Sequence, residues 1–265
     1  MEFLKFEEQV FLVTVLIKNL TDGELGTGFL MTKPVPDDLT RTKYLLFSNK
    51  HVFWGQKDKN NPSAKKRIVI TFHQMEADGS SKLEALQNFI IDMDRTKPGY
   101  YDHPDPAVDV ACANISSALN EGIPLHIKTV NFKNFFDFDK NTLTAGTDIL
   151  FVGYPTGFYD YKNSLPVMRM GSIASIPSID FNGLRQILLD AQIFPGSSGS
   201  PVFVPINGKY KLLGIVSDGI QKNLDFAEIE KISQKKCKKV LMPTEWIGLG
   251  LLFTNETIKE VYDLA

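Results

Sequence analysis

The chain has 265 residues, 43% hydrophobic and 23% charged, with a formal net charge of -2. That composition supplies enough apolar mass for a substantial core, in one large domain or two small ones. It excludes a nucleic-acid binder that works through a broad basic face, and no apolar run reaches the roughly 18 residues that cross a bilayer.

The first residues carry the acids Glu2, Glu7 and Glu8 and no long apolar run, so no signal peptide is expected. Residues 2–9 fit a short helix or a lead-in. The β-branched run 10–17 predicts a strand, and Gly26-Thr27-Gly28-Phe29-Leu30-Met31 the returning arm of a hairpin. Without a following Gly-Lys-Ser/Thr, that glycine pair reads as a close-packing turn and not a phosphate loop. Tyr44-Leu45-Leu46-Phe47-Ser48 predicts another strand, ending at Asn49-Lys50-His51. The polar, basic stretch 57–67 reads as an exposed loop, and 68–72 and 89–93 as strands. Residues 92–106, rich in Asp, Pro, Gly and Tyr, read as a long surface loop running into a strand over 107–115.

A helical turn fits 116–125, and 128–144 reads as a crossing linker whose Phe132, Phe135, Phe136 and Phe138 are expected in the core between domains. Strands are expected over 148–152, 167–176, 184–189, 202–204, 212–217 and 247–253. A helix follows over 255–264, with Ile258, Val261, Tyr262 and Leu264 on one face. The basic run 230–239 reads as a solvated face, with docking of an acidic partner as the alternative. About a dozen short strands and few helices predict an all-β sandwich or barrel assembly, split near 118–145. Only two cysteines occur: Cys112 is expected in the core and Cys237, among lysines, at the surface. Both are expected reduced, in a cytoplasm.

Between two apolar runs lies Phe194-Pro195-Gly196-Ser197-Ser198-Gly199-Ser200-Pro201. Glycines at 196 and 199 permit positive φ and close approach. A serine in such a turn, beside free backbone N–H groups, has the makings of a nucleophile next to an oxyanion hole. A serine nucleophile needs a base, and the base a group that fixes its tautomer. Of His51, His73, His103 and His126, only His51 lies where a buried strand stops, held by core on both sides yet able to face a cleft. Asp109, between Val108 and Val110, heads an apolar strand where a charge is costly unless paired. A partner such as His51 accounts for it; a water-exposed strand edge is the alternative. No zinc-ligand spacing, P-loop or dinucleotide fingerprint occurs, so neither metal nor cofactor is expected.

His51, then Asp109 opening Asp-Val-Ala, then Gly196-Ser197-Ser198-Gly199-Ser200-Pro201 resembles, in chain order, the chymotrypsin/trypsin-like serine protease family. Gly214-Ile215-Val216-Ser217-Asp218-Gly219 is similar to that family's strand beside the substrate groove. Val152-Gly153-Tyr154-Pro155-Thr156-Gly157 and Leu165 to Ser175 look like intracellular bacterial members. The resemblance covers residues 12–220. It implies two antiparallel six-stranded β-barrels with a C-terminal helix packed on the second. Residues 1–125 would form the barrel carrying His and Asp; residues 126–265 would form the linker, the barrel carrying Ser, and the helix. It implies Ser198 as nucleophile, His51 as general base and then acid, and Asp109 as orienting carboxylate. The N–H groups of Gly196 and Ser198 would form the oxyanion hole. Ser217, Asp218 and Gly219 would lie along an extended substrate, with Gln192 near the base of the specificity pocket and Gly219 on its wall.

The function so implied is a serine endopeptidase acting on polypeptides, without nucleic-acid or membrane partners. Two alternatives stand beside it: a catalytically silent peptide-binding module, and an effector closed until a regulatory protein partner assembles the site. The chain departs from the secreted digestive members at Ser197, where they have an Asp, and lacks their activation sequence. Neutral Gln192 gives no support for a Lys or Arg preference, and Asp218 stands where an aromatic is common.

Overall fold

The structure, a computed structural model, describes residues 6–35, 38–119, 122–223 and 244–265. The basic run 230–239 and Cys237 lie outside the described residues. Strands β1 (Thr14–Asn19), β2 (Leu25–Val35), β3 (Asp38–Ser48), β4 (Lys65–Met75), β5 (Ser81–Asp94), β6 (Tyr100–Asp102) and β7 (Ala111–Asn114) form one sheet, ordered β5-β4-β1-β2-β3-β7-β6. Strands β8 (Asp148–Gly153), β9 (Val167–Ile173), β10 (Gln186–Asp190), β11 (Pro201–Ile206), β12 (Lys209–Asn223) and β13 (Thr244–Thr254) close into a barrel, ordered β10-β13-β12-β11-β8-β9.

Of the expected pair of six-stranded barrels, the second is present as a closed barrel. In the first half the described strands make a sheet of seven, one more than expected, whose outer strands are β5 and β6. The extra strand, β6, arises inside the segment read as a loop. Tyr101 pairs with Cys112 on β7, and Tyr100 sets its ring edge-on to buried Trp54 at 5.6 Å. Tyrosine's fit to a half-buried pleat outweighs the turn-forming residues around it. The apolar run 10–17 also divides differently. Helix α1 (Phe6–Val13) precedes β1, and the Thr14 hydroxyl donates to the Val10 carbonyl one turn back.

Three strands at the centre are buried on both faces, which explains why they read as unbroken apolar runs. From β2 and β3, Leu30 and Leu46 enter the core of the first sheet with Ile17, Phe53 and Ile70. Their neighbours Phe29, Met31, Leu45 and Phe47 point the other way, to meet Leu150 and Val152 of β8 and Phe203 of β11. Ile149 and Phe151 of β8 turn into the barrel core with Ile187, Val202, Val216 and Leu252. Sheet and barrel therefore share a third core between them.

Helix α4 (Asn255–Leu264), which follows the short helices α2 (Lys50–Trp54) and α3 (Ser116–Leu119) in the chain, seals that shared core with Ile258, Val261 and Tyr262 and is not confined to the barrel. The Tyr262 hydroxyl donates to Thr32 O on β2, while Asn255 Nδ2 donates to Phe136 O and Leu212 O on the barrel side. The phenylalanine patch is divided: Phe136 lies in the barrel core, Phe135 packs on the shared core, and Phe132 is exposed. Cys112 is buried on β7, and burial pushes its thiol far above the ordinary cysteine value. Among the described residues no helix is long and apolar enough to cross a membrane, and no cluster of His, Cys, Asp or Glu could hold a metal ion.

Candidate active site

His51 stands just beyond the end of β3, in the short helix α2 (Lys50–Trp54). Val52, Phe53 and Trp54 are buried behind it, so the turn is anchored while the imidazole, with 19% of its side chain exposed, borders a cavity. Asp109 lies on the segment between β6 and β7, its side chain 11% exposed. Its carboxylate engages His51 twice. Oδ1 accepts the His51 backbone N–H at 3.1 Å, and Oδ2 lies 2.6 Å from Nδ1. A carboxylate can only accept, so Nδ1 carries the proton and Nε2 is left with its lone pair. Burial alone would raise the Asp109 carboxyl. The hydrogen bond and charge of His51, helped by the charge of Lys59, outweigh it and hold the group below the usual aspartate range.

The segment carrying Asp109 is fixed by two residues to which the sequence reading gave no role. Asn49 Nδ2 donates to the Asp109 carbonyl at 2.6 Å. Lys50 is buried, and its ammonium donates to the carbonyls of His103 at 2.8 Å and Asp105 at 2.9 Å. A lysine placed directly before His51 in an apolar stretch was the available signal.

Ser198, 7% exposed, sits in the turn between β10 and β11. Gly196 and Gly199 both have φ +88°, and a Cβ on either would overlap backbone: the Tyr154 carbonyl at 196, the Thr27 carbonyl at 199. All described peptides here are trans, so each carbonyl points opposite to the N–H that follows it. Pro195 O is held by Thr156 N–H at 2.5 Å and Ser197 O by Ser200 N–H at 3.0 Å. These two bonds turn the Gly196 and Ser198 N–H groups the other way. Neither donates to any acceptor among the described residues, whereas Ser197 N–H donates to Phe194 O at 3.0 Å. Two free amides beside one serine hydroxyl are what stabilising an oxyanion requires.

His51, Asp109, Gly196 and Ser198 line one cavity of about 800 Å³ between sheet and barrel. No hydrogen bond joins Ser198 Oγ to the imidazole. Such contacts are often long without substrate and tighten when it binds.

Ser217 and Asp218 line the same cavity. Strand β12 pairs with β11 only as far as Ile215, and its register against β13 shifts between Val216 and Asp218. Beyond Val216, whose backbone still bonds Gly199 and Ser200, one edge of β12 has no strand beside it among the described residues, while the other stays paired at Asp218↔Leu251 and Gly219↔Gly250. An extended peptide could add to that edge.

Gln192 and Gly219 stand elsewhere than expected. Gln192 is exposed, does not line the cavity, and offers its carbonyl to Arg169 Nη1. Gly219 packs against the Ile193 carbonyl and the Trp246 ring. Phe194 and Trp246, edge to face at 6.0 Å, form the apolar wall instead. Of the other histidines, His73 Nε2 meets Asn163 O, His126 is buried, and His103 Nε2 lies 2.5 Å from Glu260 on α4.

A family model described as a trypsin-like peptidase domain matches residues 26–215. Among solved structures, the serine endoprotease from Yersinia pestis is similar over 99% of this chain and 67% of its own, at 17% identity and TM-score 0.51. A scabies mite inactivated protease paralogue is similar over 96% of both chains, at 14% identity and TM-score 0.51. Likenesses at such identities speak for the fold alone. A search of the curated proteins finds no match.

Proposed function

We propose, for a chain that belongs to the trypsin-like peptidase domain family, that it is a serine endopeptidase working through Ser198, His51 and Asp109. The supporting observation is a single cavity bordered by an oriented His51–Asp109 pair and by a serine flanked by two free amides. In this reading Ser198 Oγ attacks the scissile carbonyl as His51 Nε2 takes its proton. The oxyanion rests on the Gly196 and Ser198 N–H groups, and the imidazolium on Asp109. His51 then protonates the leaving amine, and water repeats the sequence on the acyl-enzyme. The substrate backbone pairs along Ser217 and Asp218. Cleavage by the half 1–125 acting with the half 126–265, and a cytoplasmic setting for reduced Cys112, belong to the same proposal.

The test is covalent labelling by a peptidyl phosphonate together with profiling against a diverse peptide mixture. Labelling and cleavage are expected in the wild type and lost in Ser198→Ala. A wild type that neither labels nor cleaves would defeat the reading. One observation favours a second reading, a silent or partner-activated peptide binder: no hydrogen bond yet joins Ser198 to His51. Activity appearing only in cell extract separates partner activation from both. Peptide binding unchanged by His51→Ala, with no product, marks the silent module.

A further inference from the structure

We propose that Thr27, on β2 of the first sheet, is a positioning residue that holds the Ser198 turn with its two amides facing the cavity. The proposal rests on the hydrolase reading above.

Thr27 is fully buried, and its hydroxyl and backbone N–H engage that turn or the residues that fix it. Its hydroxyl donates to Gly196 O at 2.7 Å and accepts the Tyr154 N–H at 3.0 Å. Its own N–H donates to Ser198 O at 2.9 Å, and its carbonyl accepts the Ser48 hydroxyl at 2.6 Å. The hydroxyl thus joins two pieces of barrel. One is the Gly196–Ser197 peptide. The other is the turn after β8, where Thr156, at φ 48°, pins Pro195 O through its N–H. The Pro195–Gly196 peptide lies between these anchors, and its orientation decides whether the Gly196 N–H faces the cavity. Remove the hydroxyl and two buried groups, Gly196 O and Tyr154 N–H, lose a partner. Both flanks of the Pro195–Gly196 peptide are then untied: the Gly196 carbonyl is free to turn, and the turn whose Thr156 N–H pins Pro195 O loses its tie to the first sheet, so that peptide can rotate and carry the Gly196 N–H away from the reacting carbonyl. Packing alone does not explain a threonine here, since valine fills the same space.

Thr27→Val and Thr27→Ser in the full chain test this. Three readouts are needed: kcat and KM on a peptide found by profiling, the phosphonate labelling rate, and the amide resonance of Gly196 in protein labelled with nitrogen-15 glycine. Thr27→Val is expected to lower kcat and labelling by about 10²–10³-fold, the range for one lost oxyanion donor. KM is expected to stay within about threefold, because the interaction acts on the transition state and not on ground-state binding. The Gly196 resonance should move while that of remote Gly79 does not, and Thr27→Ser should restore all three. Should Thr27→Val not fold, Thr27→Cys, whose thiol is a weak donor, replaces it with an intermediate loss expected.

A kcat for Thr27→Val near that of the wild type, a loss confined to KM, or a Thr27→Ser as impaired as Thr27→Val overturns the proposal. If the wild type neither cleaves nor labels, the hydrolase reading has failed and the Gly196 resonance decides alone. Displacement by valine with recovery by serine supports Thr27 as the anchor, and an unmoved resonance overturns it.

Discussion

Replacing Asp109 by Asn keeps the shape of the side chain and changes which hydrogen bonds it can make. The wild-type carboxylate accepts from both the His51 backbone N–H and Nδ1. An asparagine has one accepting oxygen and one donating nitrogen. With its oxygen towards the backbone N–H, its amide donates to Nδ1, both bonds survive, and the proton moves to Nε2. That tautomer cannot accept a proton from Ser198. With the amide flipped, Nδ1–H is satisfied and the working tautomer returns, but two donors oppose each other at the buried backbone N–H. Reaching the working arrangement therefore costs about 1–3 kcal/mol for the unpaired group. The charge-assisted bond to the developing imidazolium, worth about 1.5–3 kcal/mol, is lost as well. Together these amount to roughly 3–6 kcal/mol, or about two to four powers of ten in kcat. KM should change little, because the peptide edge at Ser217 and Asp218 is untouched. The assay is steady-state cleavage of a profiled peptide at neutral pH, with phosphonate labelling falling in parallel and the melting temperature held as a control on folding. A folded Asp109→Asn that cleaves at close to the wild-type rate refutes the assignment of His51 and Asp109 as a working pair.

Gly199→Ala tests the turn from the other side. A φ of +88° and the approach of the Thr27 carbonyl leave no room for a methyl group, so phosphonate labelling is expected to vanish and the melting temperature to fall. Backbone strain alone accounts for about 1–3 kcal/mol, and normal labelling in this variant would show that the turn is not held as described. Glu260→Gln tests the link between α4 and the segment bearing Asp109. Burial would raise the Glu260 carboxyl, but hydrogen bonding and charge from His103 and Arg185 hold it below the usual glutamate value. A depressed carboxyl stabilises the fold above its unfolded pKa of about 4.3 and loses that contribution as pH falls through the folded value. Wild type should therefore melt higher than Glu260→Gln at pH 7, with the gap closing as the solution is acidified. A gap that does not depend on pH would assign the effect to packing.

What could be read from the chain followed the range of the forces involved. The Ser198 turn was legible because glycine, serine and proline impose their conformations locally. The central strands were legible because both faces are buried. The hairpin of β4 and β5 was legible only in its apolar middle. Its ends, Lys65 to Arg67 and Asp92 to Asp94, looked like loop, yet Lys65 pairs directly with Asp94 and Arg67 with Asp92 across the strands. Charges spaced along the sequence show no such match until the register is known. The joining of seven strands in the order β5-β4-β1-β2-β3-β7-β6 depends on contacts between distant strands, which no local pattern carries. Gln192 was placed near the specificity pocket by the family resemblance, and nothing in the nearby sequence shows that its carbonyl is held by Arg169 of β9. Thr27 looked like a packing turn because both hydroxyl partners lie across the interface, 127 and 169 residues away.

The buried Lys50 shows why a charged residue beside the candidate base need not interfere with it. Burial lowers its pKa, and Asp102, Asp109 and Asp105 act against that shift, so all three acids are near enough to be felt. Each acid nevertheless has another partner: Asp102 meets Arg95 at 2.8 Å, Asp105 accepts the Ala107 N–H at 2.8 Å, and Asp109 holds His51. The ammonium turns instead to the two backbone carbonyls at His103 and Asp105. Were it paired with Asp109, the carboxylate would divide its lone pairs between ammonium and imidazole, and the hold on the Nδ1 tautomer would weaken. Tied to carbonyls, the same charge fixes the segment that carries Asp109 and leaves the carboxylate to His51. His103, whose carbonyl it grips, is also the residue that meets Glu260 of α4. The position of Asp109 is thereby fixed from two directions, by a buried cation behind the site and by the helix that closes the core between sheet and barrel.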